Sequence, residues 1–160
     1  MKVASLILVT LASIFSLQVM AADPVPSCMV NGANLPVNNQ QVLNWKHTTA
    51  NQFLARAHVQ GTITQVYPDR NGHRHFAIRL DEVKSDTLEI VFNDAFGKVV
   101  DLRVGLTVEA CGDYITSEAA TSQYPASPDG AILHWVHANP KGQGHPSGYL
   151  EVNGKLYGTR

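Results

Sequence analysis

Two imidazoles two residues apart, His73 and His75, stand with Arg79 in one alternating segment of the chain. On a β-strand, residues i and i+2 point to the same face, about 6–7 Å apart. Side chains so placed can chelate one metal ion, or grip a phosphate or carboxylate through the bidentate fork of arginine. A second constellation is His134-Trp-Val-His137, followed at once by Asn139-Pro140 and the loop Lys141-Gly-Gln-Gly-His-Pro-Ser-Gly148. In a regular strand His134 and His137 point to opposite faces. A bend near Pro140, whose ring excludes the preceding residue from helical space, can turn them together. His145 lies between glycines whose missing Cβ lets backbone approach a ligand closely. Loops of this kind carry binding chemistry because a rigid scaffold presents them.

The candidate ligand-binding residues are therefore His75, Arg79, Asn93, His134, Trp135, His137, His145 and Tyr149. Tyr157 is a further ring for stacking. The candidate metal ligands are His73, His75, His134, His137 and His145, with zinc as the implied divalent ion, since neutral imidazole is the commonest metal ligand. Asp69, Asp81, Asp94, Asp113 and Asp129 supply carboxylates, and Asp94 follows Asn93 at a strand end. Each constellation has a plainer reading: an exposed polar strand face for His73, His75 and Arg79, a hydrogen-bonded core histidine for His134, a mobile glycine loop for residues 141–148. No Walker loop, Rossmann fingerprint, HExxH pair or nucleophile elbow occurs.

The elements that must position these side chains read as mostly β. Ala50, Phe53, Leu54 and Ala57 recur at helical spacing, which predicts a helix over 38–57, with Thr49 able to cap a second piece. Strands are predicted at Val59–Tyr67 with a bulge at Gly61, His73–Leu80, Thr87–Asn93, Val104–Ile115 and Ala131–His137. Phe76, Ile78, Leu80, Leu88, Ile90 and Phe92 form the buried set. Asp69–Gly72 and Val152–Lys155 read as hairpin turns, the second of type I′. Residues 94–103 read as a short connection with one helical turn, and 118–129 as a polar loop. A helix followed by five strands implies a mainly β fold: a small OB-like five-stranded barrel with an N-terminal helix and a C-terminal hairpin. A flat sandwich is the other arrangement the pattern allows.

Residues 1–21 read as a signal peptide: Lys2, an apolar run from Val3 to Val19, and the small-residue pattern Val19-Met20-Ala21. Residues 22–37, with three prolines, read as an extended arm, and 38–160 as a single OB-like domain. Export, to the periplasm or outside the cell, makes Cys28 and Cys111 a disulfide, because an even pair bridges in an oxidising compartment. No later segment is apolar enough to span a membrane. The formal net charge of −1 leaves no cationic surplus for non-specific nucleic-acid binding. The sequence sets neither a ligand nor an oligomeric state.

Gly130-Ala-Ile-Leu-His-Trp-Val-His-Ala-Asn-Pro, then His145-Pro-Ser-Gly-Tyr-Leu and a closing Asn-Gly-Lys, resembles a family of small exported bacterial proteins described as a domain of unknown function. Gly61-Thr-Ile63, Pro68-Asp69, His75-Phe76, Phe92-Asn93-Asp94 and Val104-Gly105 fit its pattern more loosely, over about residues 58–158. Phe92 stands where that pattern has histidine, Asn139 where it has aspartate, and Tyr149 where it has tryptophan. The resemblance implies an exported OB-like domain and no activity. Two functions follow from the residues themselves. One is an exported OB-like binding module with a His- and aromatic-rich groove for a polyanionic or oligomeric ligand, an oligonucleotide or oligosaccharide. The other is a metal-dependent hydrolase, a nuclease-like phosphodiesterase with Arg79 steadying developing charge. Binding is favoured, because no established catalytic motif is present.

Overall fold

Alternating apolar residues and three Asn-Gly turns set the path of the chain in the computed structural model, which describes residues 24–82 and 86–159. The signal-peptide residues 1–21 lie outside the described residues. The first Asn-Gly, Asn31-Gly32, joins β1 (Met29–Val30) to β2 (Ala33–Asn34). The second, Asn71-Gly72, leads into β4 (His73–Arg79), and the third, Asn153-Gly154, joins β8 (Tyr149–Val152) to β9 (Lys155–Tyr157). All six residues have positive φ, between 50° and 82°, the backbone a type I′ turn needs to match strand twist. The segment read as an extended arm thus contains a small hairpin. Cys28 beside it is bonded to Cys111, with Cα atoms 5.5 Å apart.

Helix α1 is Asn39–Thr48, and β3 follows as Leu54–Val66. The helix expected over 38–57 is therefore too long. Thr49 closes it rather than opening a second piece, its amide and hydroxyl both donating to the Trp45 carbonyl. Leu54 and Ala57 belong to a strand paired with β6 (Thr107–Thr116). Tertiary pairing overrode a weak local period here. The bulge lies between Ile63 and Gln65 rather than at Gly61. At Gly61 a Cβ would come within 2.3 Å of the Arg79 carbonyl, so close strand approach requires glycine there.

β4 pairs with β5 (Thr87–Asn93), and β5 pairs in parallel with β7 (Ala131–His134). β7 runs antiparallel to β6, and β6 returns to β3. The ring β3-β4-β5-β7-β6 is a closed five-stranded barrel, the OB-like architecture expected, with β8 and β9 extending it beside β6. Inside lie Phe76, Ile78, Leu88, Ile90, Phe92, Tyr114 and Leu133, with Val42 and Leu43 from the helix. A 3-10 turn, Asp94–Phe96, follows β5. Two strands are shorter than expected. β6 begins at Thr107 instead of Val104, and β7 stops at His134 instead of His137. Among the described residues no helix is long and apolar enough to cross a membrane.

The Cys28–Cys111 bridge closes a loop across 83 residues. Loop-closure entropy then gives a stabilisation of about 4–5 kcal/mol. Reducing the bond, or making Cys28→Ser with Cys111→Ser, is expected to lower the unfolding free energy in urea by about that amount. A loss below about 1 kcal/mol would show that the unfolded chain is not constrained by this link.

Candidate functional site

The middle of the outward faces of β4 and β5 is covered, while their ends, at His73, Arg79, Thr87 and Asn93, stay partly exposed. His75 is 9% exposed, Glu89 1% and Val91 8%. The loop after β6 arches over them and leaves a half-open cleft of about 430 Å³. Its floor is Val91, Ile115 and Ile132, its roof Tyr124, Pro125 and Ala126, and its polar walls Arg70, His73, His75, Glu89, His134 and Trp135. In barrel order the site spans the second, third, fifth and fourth strands, between the loop joining strands one and two and the loop joining strands four and five. That is where OB-type barrels hold oligonucleotides and oligosaccharides.

The roof is fastened through buried polar groups. Ser127 Oγ donates to Glu89 Oε2 at 2.5 Å. Asp129 accepts from Tyr67 Oη at 2.8 Å and from Thr87 Oγ1 at 2.5 Å. The other oxygen of Glu89 meets His75 Nδ1 at 2.7 Å, with Arg70 Nη2 at 3.4 Å. Burial alone would raise the Glu89 carboxyl. The hydrogen bonds from His75 and Ser127, with the charges of His75 and Arg70, outweigh it and hold the group below its ordinary value.

Trp135 shapes the mouth of the cleft. Its φ is 52°, a left-handed conformation that is a genuine outlier for so bulky a side chain and that concentrates at binding sites. This turn ends β7 and carries the backbone across two glycines. A Cβ on Gly112 would lie 2.5 Å from the His134 carbonyl, and one on Gly148 2.5 Å from that of Trp135. The rings then form a continuous row. His73 and His134 have centroids 5.8 Å apart, His134 and Trp135 4.8 Å, Trp135 and His145 5.1 Å, and His145 and His137 5.3 Å. His137 ends the row, stacked on Phe96 at 3.7 Å.

Burial first, and then the neighbouring His73, His137, His145 and His75, push His134 down to about 4. His137 is lowered too, by burial and then by His145 and His73, against the Ala138 carbonyl that favours its charged form. His134 is therefore a neutral ring near pH 7.

Five expected histidines thus fall on one side of the barrel: His73, His75 and His134 in the cleft, His137 and His145 beyond Trp135. Three expected residues do not join them. Arg79 pairs with Glu82 at 3.0 Å, and Asn93 caps the 3-10 turn by accepting from Ala95 N–H at 2.9 Å. Tyr149 packs on the disulfide, and its hydroxyl donates to Glu109 at 2.7 Å beside His58 Nε2. Tyr157, read as a stacking ring, lies in the core against Phe92. Asp94 and Asp113 are held by Arg74 and Arg56. Arg70, Glu89, Ser127 and Tyr124 were missed. Glu89 carried a readable signal, a lone charge inside the apolar run Leu88-Glu-Ile-Val-Phe92. Among the described residues no three His, Cys, Asp or Glu side chains are placed to hold one metal ion.

Residues 31–158 match the family described as "Protein of unknown function (DUF3465)", and the chain belongs to it. No curated protein and no solved structure matches the chain.

A folded-state value below the ordinary 6.5 means that the unfolded chain takes up the His134 proton more readily. Stability from this group is complete above pH 6.5 and declines as the pH falls toward about 4. The His134 Cε1–H resonance is expected to titrate near pH 4, and His73→Ala to raise that midpoint. A midpoint at or above 6 in the intact protein would contradict a desolvated ring.

Proposed function

We propose that this protein is an exported binding module whose cleft takes a short, uncharged stretch of oligosaccharide. One observation carries the reading: a half-open cleft of about 430 Å³ on the barrel wall under the loop that joins strands four and five, with Trp135 held in a strained conformation at its rim. The volume lies within the range of ordinary small-molecule sites, which pair an apolar floor with a few placed polar groups. A sugar ring offers an apolar C–H face to aromatic rings and hydroxyls to planar polar side chains. His134 and Trp135, which line the cleft, supply the first, with Trp135 steadied between the stacked rings of His134 and His145. Arg70, His73, His75 and Asn71 supply the second.

Charge decides between sugar and nucleic acid. Single-stranded nucleic acid needs a cationic groove along its backbone. Among the described residues that line the cleft Arg70 is the only Lys or Arg, and it already faces Glu89 at 3.4 Å. The hydrolase reading gains no support, because the imidazoles form no three-donor set among the described residues. Export is supported by the signal-like leader and by the Cys28–Cys111 bond. Location in the periplasm or outside the cell belongs to the same proposal.

Trp135 reports on the cleft. Titration with a panel of neutral oligosaccharides is expected to shift its emission, in a Trp45→Phe background that removes the other tryptophan. Trp135→Ala should weaken binding by tenfold or more, since base- or sugar-type stacking is worth about 1–3 kcal/mol per ring. Oligothymidylate at physiological salt should leave the emission unchanged. Salt-dependent binding of the oligonucleotide, with no saccharide response, would overturn the assignment.

A further inference from the structure

We propose that His73 and His134 form a two-imidazole site for one exchangeable divalent transition-metal ion, copper(II) or zinc(II), opening on the cleft. The site does not depend on the saccharide reading.

The geometry of the rings is the first support. A metal–nitrogen bond of about 2.0–2.1 Å and a ring radius of about 1.1 Å put an ion roughly 3.2 Å from each ring centre, so two coordinating rings lie about 5.2 Å apart at a tetrahedral angle and about 6.4 Å apart when opposed. The His73 and His134 centroids, 5.8 Å apart and inclined by 53°, fall inside that interval. The rings come from β4 and β7, which flank β5 in the barrel wall. They therefore rest on strands rather than on loops.

The state of the ring nitrogens is the second. His73 Nδ1 lies 2.9 Å from the Asn71 carbonyl, which places its proton on Nδ1 and leaves the lone pair on Nε2. Metal-bound histidines are oriented in this way, with the other nitrogen held by a carbonyl or carboxylate. His75 follows the same rule, its Nδ1 against the Glu89 carboxylate at 2.7 Å. It is the next imidazole along that strand face. Neither ring nitrogen of His134 has a hydrogen-bond partner among the described residues. The ring lines the cleft, and its nitrogens are not among the buried unpartnered atoms, so they are open to a metal ion entering from the cleft.

A rival pair, His137 and His145, has centroids 5.3 Å apart. His137 is 7% exposed and lies face to face with Phe96, so that contact is packing. Two protein ligands leave the remaining positions of the ion to water or to a molecule in the cleft. Such a site exchanges its metal, unlike a closed structural zinc site.

The test uses the intact disulfide-bonded protein, freed of metal with a chelator and titrated calorimetrically with copper(II) and zinc(II) salts. One ion per chain is expected, with copper bound more tightly than zinc, as imidazole sites generally do. Sub-stoichiometric copper should broaden the His73 and His134 imidazole resonances before those of His47 and His145. His73→Ala and His134→Gln should each weaken binding by tenfold or more, and His145→Ala by less than threefold. Far-ultraviolet circular dichroism reports folding. If His134→Gln fails to fold, His73→Gln, in a strand end beside a turn, reads the same loss. Absence of binding, binding unchanged by His73 substitution, or a loss that follows His145 instead would each overturn the site.

Discussion

A carboxylate buried on the outside of a barrel is the constraint that organises this protein. Glu89 points away from the core, where a half-buried strand normally carries solvated side chains, yet it is 1% exposed. A buried charge is tolerable only when paired and fully hydrogen-bonded. His75 from β4, Arg70 from the preceding turn and Ser127 from the covering loop supply those partners. The three come from separate stretches of chain, so satisfying one carboxylate fixes the positions of all three. Breaking such a cluster on one side is expected to cost far more than its net contribution, because the charge stays behind. The cleft is the space left over when the loop is held down at residues 127–129 while Tyr124 and Pro125 span the strands.

The other end of the site follows from a crossing of backbones. β6 exchanges one neighbour for another along its length: residues 113–116 pair with β7 and residues 108–111 with β8. Gly112 sits where the partner changes, and Gly148 comes just before β8 begins. Both lie where the chain through His134 and Trp135 leaves no room for a Cβ. Trp135 takes the left-handed conformation because β7 must end there for β8 to take its place. The strain, on the order of 1–3 kcal/mol for such a residue, is repaid by packing: Val136 is fully buried, and His137 is clamped on Phe96. The outcome is an indole fixed between two imidazoles at a cleft mouth.

These two features explain what the sequence made legible. Strands with strict alternation, His73–Arg79 and Thr87–Asn93, were readable to within a residue, as were the Asn71-Gly72 and Asn153-Gly154 turns, because their signals are local. The stretch 50–57 was not. Its apolar residues fit a helical period, and only pairing with β6 makes a strand of it. The convergence of His73, His75 and His134 was readable as a set of types but not as a place, since β5 and β7 meet through a parallel pairing across some forty residues. Regular strand geometry placed His134 and His137 on opposite faces, and the positive φ of Trp135 is what redirects the chain between them. Tyr149 and Arg79 were misplaced for the same reason. Tyr149 answers to Glu109, His58 and the disulfide, which no local pattern announces.

Charge inside the cleft argues for what it holds. The Glu89 cluster is internally balanced, with one carboxylate facing one guanidinium and one imidazole. His134 stays neutral because it is largely out of water and, less strongly, because its neighbours are also imidazoles. A ligand entering this space therefore meets dipoles, lone pairs and ring faces rather than net charge. Strong ions gain little there, whereas hydroxyl-bearing rings gain both stacking and directed hydrogen bonds. A divalent transition-metal cation is the exception, because it seeks lone pairs, and the tethering of Nδ1 in His73 leaves its Nε2 lone pair unused. One arrangement of imidazoles thus suits an uncharged polar ligand and a transition-metal ion for the same physical reason: ring nitrogens and ring faces line a space that holds little net charge.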